Sequence, residues 1–361
     1  MTRDPEDVTG DPTVRGGRRP PRGLFVGLTT LDIIQLVDHV PAANEKVTAR
    51  AQTVAAGGPA ANAAAAFSHL GGEATLLTAV GGHPLAAGVT ADLAQLGVRV
   101  VDLAADSDAP PAVSSILVTA ATGERAVASL NTTGRPVAVP PGPYVAELVA
   151  GADVVECDGH HIGPAIAVAR AARTAGRRTV LDGGSWKPGT EELLPFIDVA
   201  VCSADFRPPE ASTPAQVLDF LASSGAGVPW AAVTHGGDPV VWAGPGGARG
   251  ELPVAPAARI ADTLGAGDVL HGALAYVLAA PPADPLTADQ LTADRRTADQ
   301  LTADRLTADR LTGGRLTAGA FRTALAYASA VATASCASFG TRAWMREGSP
   351  VPHPATPTLG E

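Results

Sequence analysis

With 361 residues and a net charge of -10 at pH 7, the chain carries more acid than base, which argues against nucleic acid as its main partner. Hydrophobic residues make up 46% and charged residues 17%, enough for a large core, and aromatics at 4% leave that core to Ala, Val and Leu. No apolar run approaches the roughly 18 residues of a membrane span, and the N-terminus has no apolar stretch of a secretory signal. Neither anchorage nor export is expected, and the expected setting is cytoplasmic. Cys157, Cys202 and Cys336 have no CxxC spacing and read as reduced core residues.

Residues 1–23, which include RGGRRPPR, offer no apolar period and read as a disordered tail. A short apolar strand at 24–27 opens the fold and leads to Asp32, and 33–40 and 46–54 are strand-like. In GGPAANAAAAFSHLGG, Pro59 suits a first helical turn and Gly71 a helix end, so a helix is predicted over 59–70 behind the Gly57-Gly58 turn. From Glu73 onward strand-like and helix-like segments alternate, the pattern of a parallel sheet with helices on both faces. Strands are predicted at 74–80, 98–103, 153–157, 179–182, 199–202 and 231–234, with a helix at 164–175 between two of them. Segments 112–119 and 124–130 flank Thr122-Gly123 as a hairpin, which with 46–54 makes a small separate sheet.

Ligands of open α/β sheets sit at the carboxyl ends of the strands, so Asp158, His160, His161, residues 182–187 and residues 203–207 should face one site. The two histidines are adjacent in sequence and no third ligand is spaced for zinc. Lys187 suits phosphate neutralisation or a plain surface position equally.

The most informative stretch is ADTLGAGDVLHG, residues 261–272. Apolar residues from Val269 recur at helical spacing, so the Gly265-Ala266-Gly267 turn opens directly into a helix. The first N–H groups of that helix have no partner within it, and glycines let an anion approach the backbone closely. Asp268 in the first turn is favourable for the helix dipole alone; beside an anion pocket it also suits a base that takes a proton from an attacking hydroxyl.

DTLGAGD resembles the D-T-x-G-A-G-D signature of the ribokinase-like (PfkB) carbohydrate kinase family, and GGPAANAA resembles its G-G-x-x-x-N-x-A signature. The resemblance implies a three-layer α/β/α sandwich with a mostly parallel central sheet and a small β-sheet lid, formed by segments near 33–54 and 112–131. It implies Asp268 as catalytic base, Gly265, Ala266 and Gly267 as anion hole, and Asp32, Gly57, Gly58, Asn62 and Asp262 on the sugar side. VTHGGDPVV resembles the family's V-T-x-G-x-x-G nucleotide loop, which with the signature implies nucleotide contacts from Thr234, Gly236, Thr263, Gly265 and Gly267. ATP and Mg2+ are the implied cofactors. Arg125 and Asn131 lie on the hairpin, as substrate contacts or as solvated hairpin residues, and pairing of two copies through the lid is consistent with the family.

Three places depart from the family pattern. CSADFRPP stands where N-x-x-E organises magnesium, with Ser203 and Phe206 at those two positions, and Asp205 is the nearest acid. Pro239 replaces a glycine of the nucleotide loop, and Gly81-Gly82-His83 replaces G-D-D. Between 285 and 318 lies an insert of LTAD(R/Q) pentapeptides, whose leucines advance about 140° per step on a helix and form no apolar stripe. It reads as a flexible or loosely helical surface insert. An Ala-rich helix over 321–335 resumes the fold, and 347–361 reads as a second disordered tail. The whole implies one domain over 24–346 that phosphorylates a primary hydroxyl of a sugar or sugar-like compound from ATP. A nucleoside kinase of the same fold, or a binding protein with weakened catalysis, are the alternatives.

Overall fold

The structure, a computed structural model, describes residues 19–132, 137–223, 225–257, 259–279 and 316–346. Residues 1–18, the pentapeptide repeats up to residue 315 and the segment 347–361 lie outside the described residues. In chain order the elements are β1 (Arg22–Val26), β2 (Thr30–Val37), β3 (Ala51–Gly57), α1 (Pro59–His69), β4 (Glu73–Thr78), α2 (Pro84–Gln95), β5 (Val98–Asp102), β6 (Ala112–Thr119) and β7 (Arg125–Ser129). Then follow α3 (Gly142–Ala150), β8 (Val154–Cys157), α4 (Ile162–Thr174), β9 (Arg178–Gly183), α5 (Thr190–Leu193), β10 (Val199–Ser203) and α6 (Pro214–Ala222). The chain continues through β11 (Trp230–Thr234), β12 (Val240–Ala243), β13 (Arg249–Leu252), α7 (Ala266–Ala279) and α8 (Ala318–Ser335).

Nine strands form the main sheet in the order β13-β12-β11-β10-β9-β8-β1-β4-β5. All pairs from β11 to β5 are parallel, while β12 and β13 run antiparallel at one edge. Strands covered on both faces read as unbroken apolar runs, and their alternate residues feed two cores. Val199 and Val201 pack with α1, α2, α7 and α8 on one face; Ala200 and Cys202 pack with α3, α4 and α6 on the other. This is the expected three-layer sandwich. Helix α1 is buried nearly all round because its alanines lie between the sheet and α7, and a Cβ at Gly272 of α7 would overlap the Ala63 carbonyl.

A second sheet, in the order β3-β2-β6-β7, forms the lid. Its β2 and β6 pair in parallel, flanked by antiparallel β3 and β7. One face, with Asp32, Ile34, Ser114 and Ile116, is buried; the other carries the exposed Val54 and Ser115. The inner face packs on Leu264 and Phe339. The Oγ1 of Thr263 donates to the Gly123 carbonyl at 3.2 Å and accepts from Arg125 at 3.2 Å, so the tip of the hairpin rests on the loop that leads into α7.

Three expectations are corrected. The first strand begins at Arg22, and Arg19 forks onto both oxygens of Asp153 at 2.6 Å, so residues 19–23 belong to the fold rather than to a tail. Residues 46–50 form no strand: Glu45 turns back on Ala42 and His39, and pairing with β2 resumes only at Ala51. The edge strands β12 and β13 were not expected, because Gly and Pro on both sides of two four-residue segments mask them as loop.

Candidate active site

The chain order reverses between β1 and β8: β1 leads outward to β4 and β5, and the chain returns through the lid to lay β8 on the other side of β1. The crevice at such a switch point is the usual ligand site of an open α/β sheet. Asp158, just beyond β8, spans it. One of its oxygens accepts from the backbone N–H of Leu28 at 2.8 Å and of Ala60 at 3.1 Å, and the other accepts from His160 at 2.8 Å. The residues after β1, the start of α1 and the loop after β8 are thereby tied to one carboxylate, which serves the backbone rather than a ligand.

Four segments meet at Asp268. Gly265 has φ 74°, a conformation that favours glycine, and it delivers the chain into α7 with Asp268 in the first turn. The Nδ2 of Asn62, in α1, donates to the Asp268 carboxylate at 2.7 Å, and the Asn62 Oδ1 accepts from Arg342 at 2.9 Å. A guanidinium only donates, so Arg342 fixes which end of the Asn62 amide faces the aspartate. Arg342 is itself held by a 2.7 Å bond to the Ala56 carbonyl and by Asp92, 3.6 Å from its Nε. No sequence feature singled out Arg342.

Asp268 is half-buried. Burial, with the nearby Asp182 carboxylate second, pushes its pKa up to about 7; the Asn62 hydrogen bond, His271 and Arg125 act in the opposite direction. A carboxylate poised near neutrality is matched to general-base work. The neighbouring glycine turn at the α7 N-terminus supplies unpaired N–H groups for an anion.

Asp32, on the buried lid face, accepts from the Thr30 hydroxyl at 2.6 Å. Burial raises its pKa, and Thr30, Ser114 and Arg342 oppose the rise. A Cβ at Gly57 would overlap the Asp32 carboxyl, and Gly58 turns at φ 94° against the Leu28 carbonyl, so both glycines are required where the lid meets α1. Beside them a cavity of ≈ 480 Å³ is lined by Leu28, Thr29, Val80, Ala112, Asn131 and His161. The Thr29 hydroxyl and the Nε2 of His161 are themselves buried without hydrogen-bond partners, and His161 has a left-handed backbone at φ 49°.

Three candidates make contacts of their own in this structure. Asp262 gives one oxygen to the Leu264 N–H at 2.8 Å and the other to the Gly340 N–H at 3.0 Å, so it braces the loop. Thr263 makes the lid contact described above. Asp205 is exposed, and only its backbone N–H is engaged, by Ser203 at 3.1 Å. The neighbouring Phe206, where the motif has glutamate, is buried against Trp186 at 5.5 Å. Among the described residues no group of three or more His, Cys, Asp or Glu is arranged to hold a metal ion. Thr234 ends β11 and bonds the Cys202 carbonyl at 3.4 Å; Gly236, at φ 54°, turns the chain toward β12. Lys187 reaches the carbonyls of Asp158 and Ser185, both at 3.3 Å, and so lies at the rim of the crevice.

A family model described as pfkB family carbohydrate kinase matches residues 23–347. The chain belongs to the PfkB family. Enzymes of this family are phosphotransferases that act on an alcohol group. An ATP-dependent ribose-1-phosphate kinase of Halopiger xanaduensis is 31% identical over 163 residues, which cover 45% of this chain and 54% of that relative. The match thus spans about half the length of that curated PfkB relative. Among solved structures, ribokinase from Giardia lamblia superposes with a TM-score of 0.69 at 15% identity, over 90% of this chain and 96% of that one. Arabidopsis thaliana ribokinase complexed with ribose and ATP gives 0.62 at 21% identity, over 90% and 94%. At such identities these likenesses show the PfkB kinase fold. Among the described residues no helix is long and apolar enough to cross a membrane.

Proposed function

We propose that this chain transfers the γ-phosphoryl group of ATP to a primary hydroxyl of a sugar or sugar-like acceptor. One observation carries the reading: a half-buried carboxylate, Asp268, stands in the first turn of a helix opened by a glycine turn, with its pKa pushed up to about 7. Asp268 takes the proton of the attacking hydroxyl. The N–H groups at the Gly265-Ala266-Gly267 turn receive the negative charge of the transferring group, as phosphoryl transfer requires. Asn62, aligned by Arg342, holds the base, and Asp32 orients acceptor hydroxyls from the lid.

The cavity lined by Leu28, Thr29 and Asn131 accommodates the body of the acceptor. Thr234 and Gly236 line the approach of the nucleotide. Asp205, an exposed acid beyond β10, would meet the water shell of a magnesium ion held by the nucleotide's phosphates, where the ion would neutralise their charge. The outer lid face, with exposed Val54, suits pairing of two copies, and the chemistry suits the ATP-rich cytoplasm. A screen of ADP release over sugars, sugar phosphates and nucleosides, run beside Asp268→Asn, tests the reading. Turnover with a sugar-type acceptor that falls about 10²–10⁴-fold in the variant is expected. No turnover with any acceptor, or full turnover in the variant, overturns it.

A further inference from the structure

Beneath the glycine turn lies a buried pair that the proposed transfer does not use. His271, one turn after Asp268 in α7, is only 5% exposed. Its Nδ1 lies 2.8 Å from the Gly267 carbonyl and 3.3 Å from the Asp182 carboxylate, and its Nε2 lies 2.9 Å from the Val201 carbonyl. Carbonyl oxygens only accept hydrogen bonds. A neutral imidazole has a single N–H, so one of its nitrogens would present a lone pair to a carbonyl lone pair; a ring protonated at both nitrogens donates on both sides.

We propose that His271 is a buried imidazolium, paired with Asp182, that clamps the first turn of α7 to β9 and β10 and so acts as a positioning residue for the Asp268 base and its anion turn. The inference rests on the kinase reading for its catalytic meaning and on hydrogen-bond geometry for its charge. The clamp ties the carbonyl of Gly267 to the sheet, and the loop N–H groups that meet an anion belong to the same turn. The pair also sets opposing fields on Asp268: Asp182 raises its pKa, and His271 lowers it. Several charged groups act on this region, among them Arg342, which lies beyond Asn62 and interacts with Asp268. Asp182 comes from β9, Glu156 from β8, Asp158 from the loop after β8, Arg125 from the lid, and Lys187 from the loop after β9. Glu156 is fully buried without a hydrogen-bond partner, and burial raises its pKa well above the ordinary value.

The test has two readouts that do not need turnover. In resting wild-type protein, nitrogen NMR of labelled histidine at pH 7.5 should show both ring nitrogens of His271 protonated; one unprotonated nitrogen overturns the proposal. Carboxyl-carbon NMR of Asp268 should then titrate in opposite directions in two variants: upward by about one unit in His271→Gln, which loses the positive neighbour, and downward by about one unit in Asp182→Asn. Shifts in the same direction, or none, overturn it. Should His271→Gln not fold, the wild-type nitrogen spectrum and Asp182→Asn decide alone. With an acceptor in hand, kcat in His271→Gln should fall with KM values for ATP and acceptor nearly unchanged. If wild type turns over nothing, the kinase reading fails while the NMR results still judge the buried pair.

Discussion

Asp268 is placed for catalysis at a cost in stability. Its proton is held more tightly in the folded protein than in the unfolded chain, because the folded pKa lies near 7 and the unfolded one near 3.8. That contribution is present below pH 4 and is lost as pH rises through 7. Asp268→Asn removes the loss, so its thermal midpoint should exceed that of wild type at pH 8 and match it at pH 4, a comparison that calorimetry makes directly. In wild type, kcat/KM should rise between pH 6 and 8 as the base ionises. Arg342 gives a second case. A lysine keeps the charge but lacks the fork that reaches both Asn62 and the Ala56 carbonyl, so Arg342→Lys should lower kcat about tenfold, or about 1.4 kcal/mol of barrier. Unchanged kcat in a stably folded variant would show that the Asn62 amide needs no guide. Asp205→Ala should raise the magnesium concentration for half-maximal rate without moving the thermal midpoint, since the side chain is exposed and its carboxylate unengaged. An identical magnesium profile would leave Asp205 with no part in the reaction.

At the scale of elements, α7 and α8 pack closely side by side, and α8 starts from the Thr317 cap, whose hydroxyl accepts from Ala320 at 3.2 Å. Leu316 packs against the core. Removing residues 285–315 and joining Asp284 to Leu316 with a short Gly/Ser linker should keep both activity and thermal midpoint. Closure entropy changes by only ~0.6 kcal/mol per doubling of loop length, and the repeats have no apolar stripe to bury. Aggregation of the shortened protein, followed by light scattering, would show that the insert covers part of the domain. The elements themselves were largely legible. The alternation of apolar runs and Ala-rich helices carries the main sheet, and the glycine turns at 57–58 and 265–267 announce themselves because each leads directly into a helix. The lid's parallel β2–β6 pairing was not legible, since it joins strands some eighty positions apart. Asp262 and Thr263 show the complementary limit: a motif names a residue type, but only packing decides that these side chains turn toward Gly340 and the lid.

For the whole molecule, the site is assembled across long separations. The Asn62–Asp268 bond spans 206 positions and the Arg342–Asn62 bond spans 280. No sequence window contains such a pairing, which is why the base was recognised and its alignment was not. The same feature bears on how the protein comes into being. Chains are made from the N-terminus, so the segments that carry the sheet, the lid and the glycine turn are all synthesised before the cation that orients the Asn62 amide. A protein shortened to end before Arg342 would keep every signature motif and lack the group that guides its base.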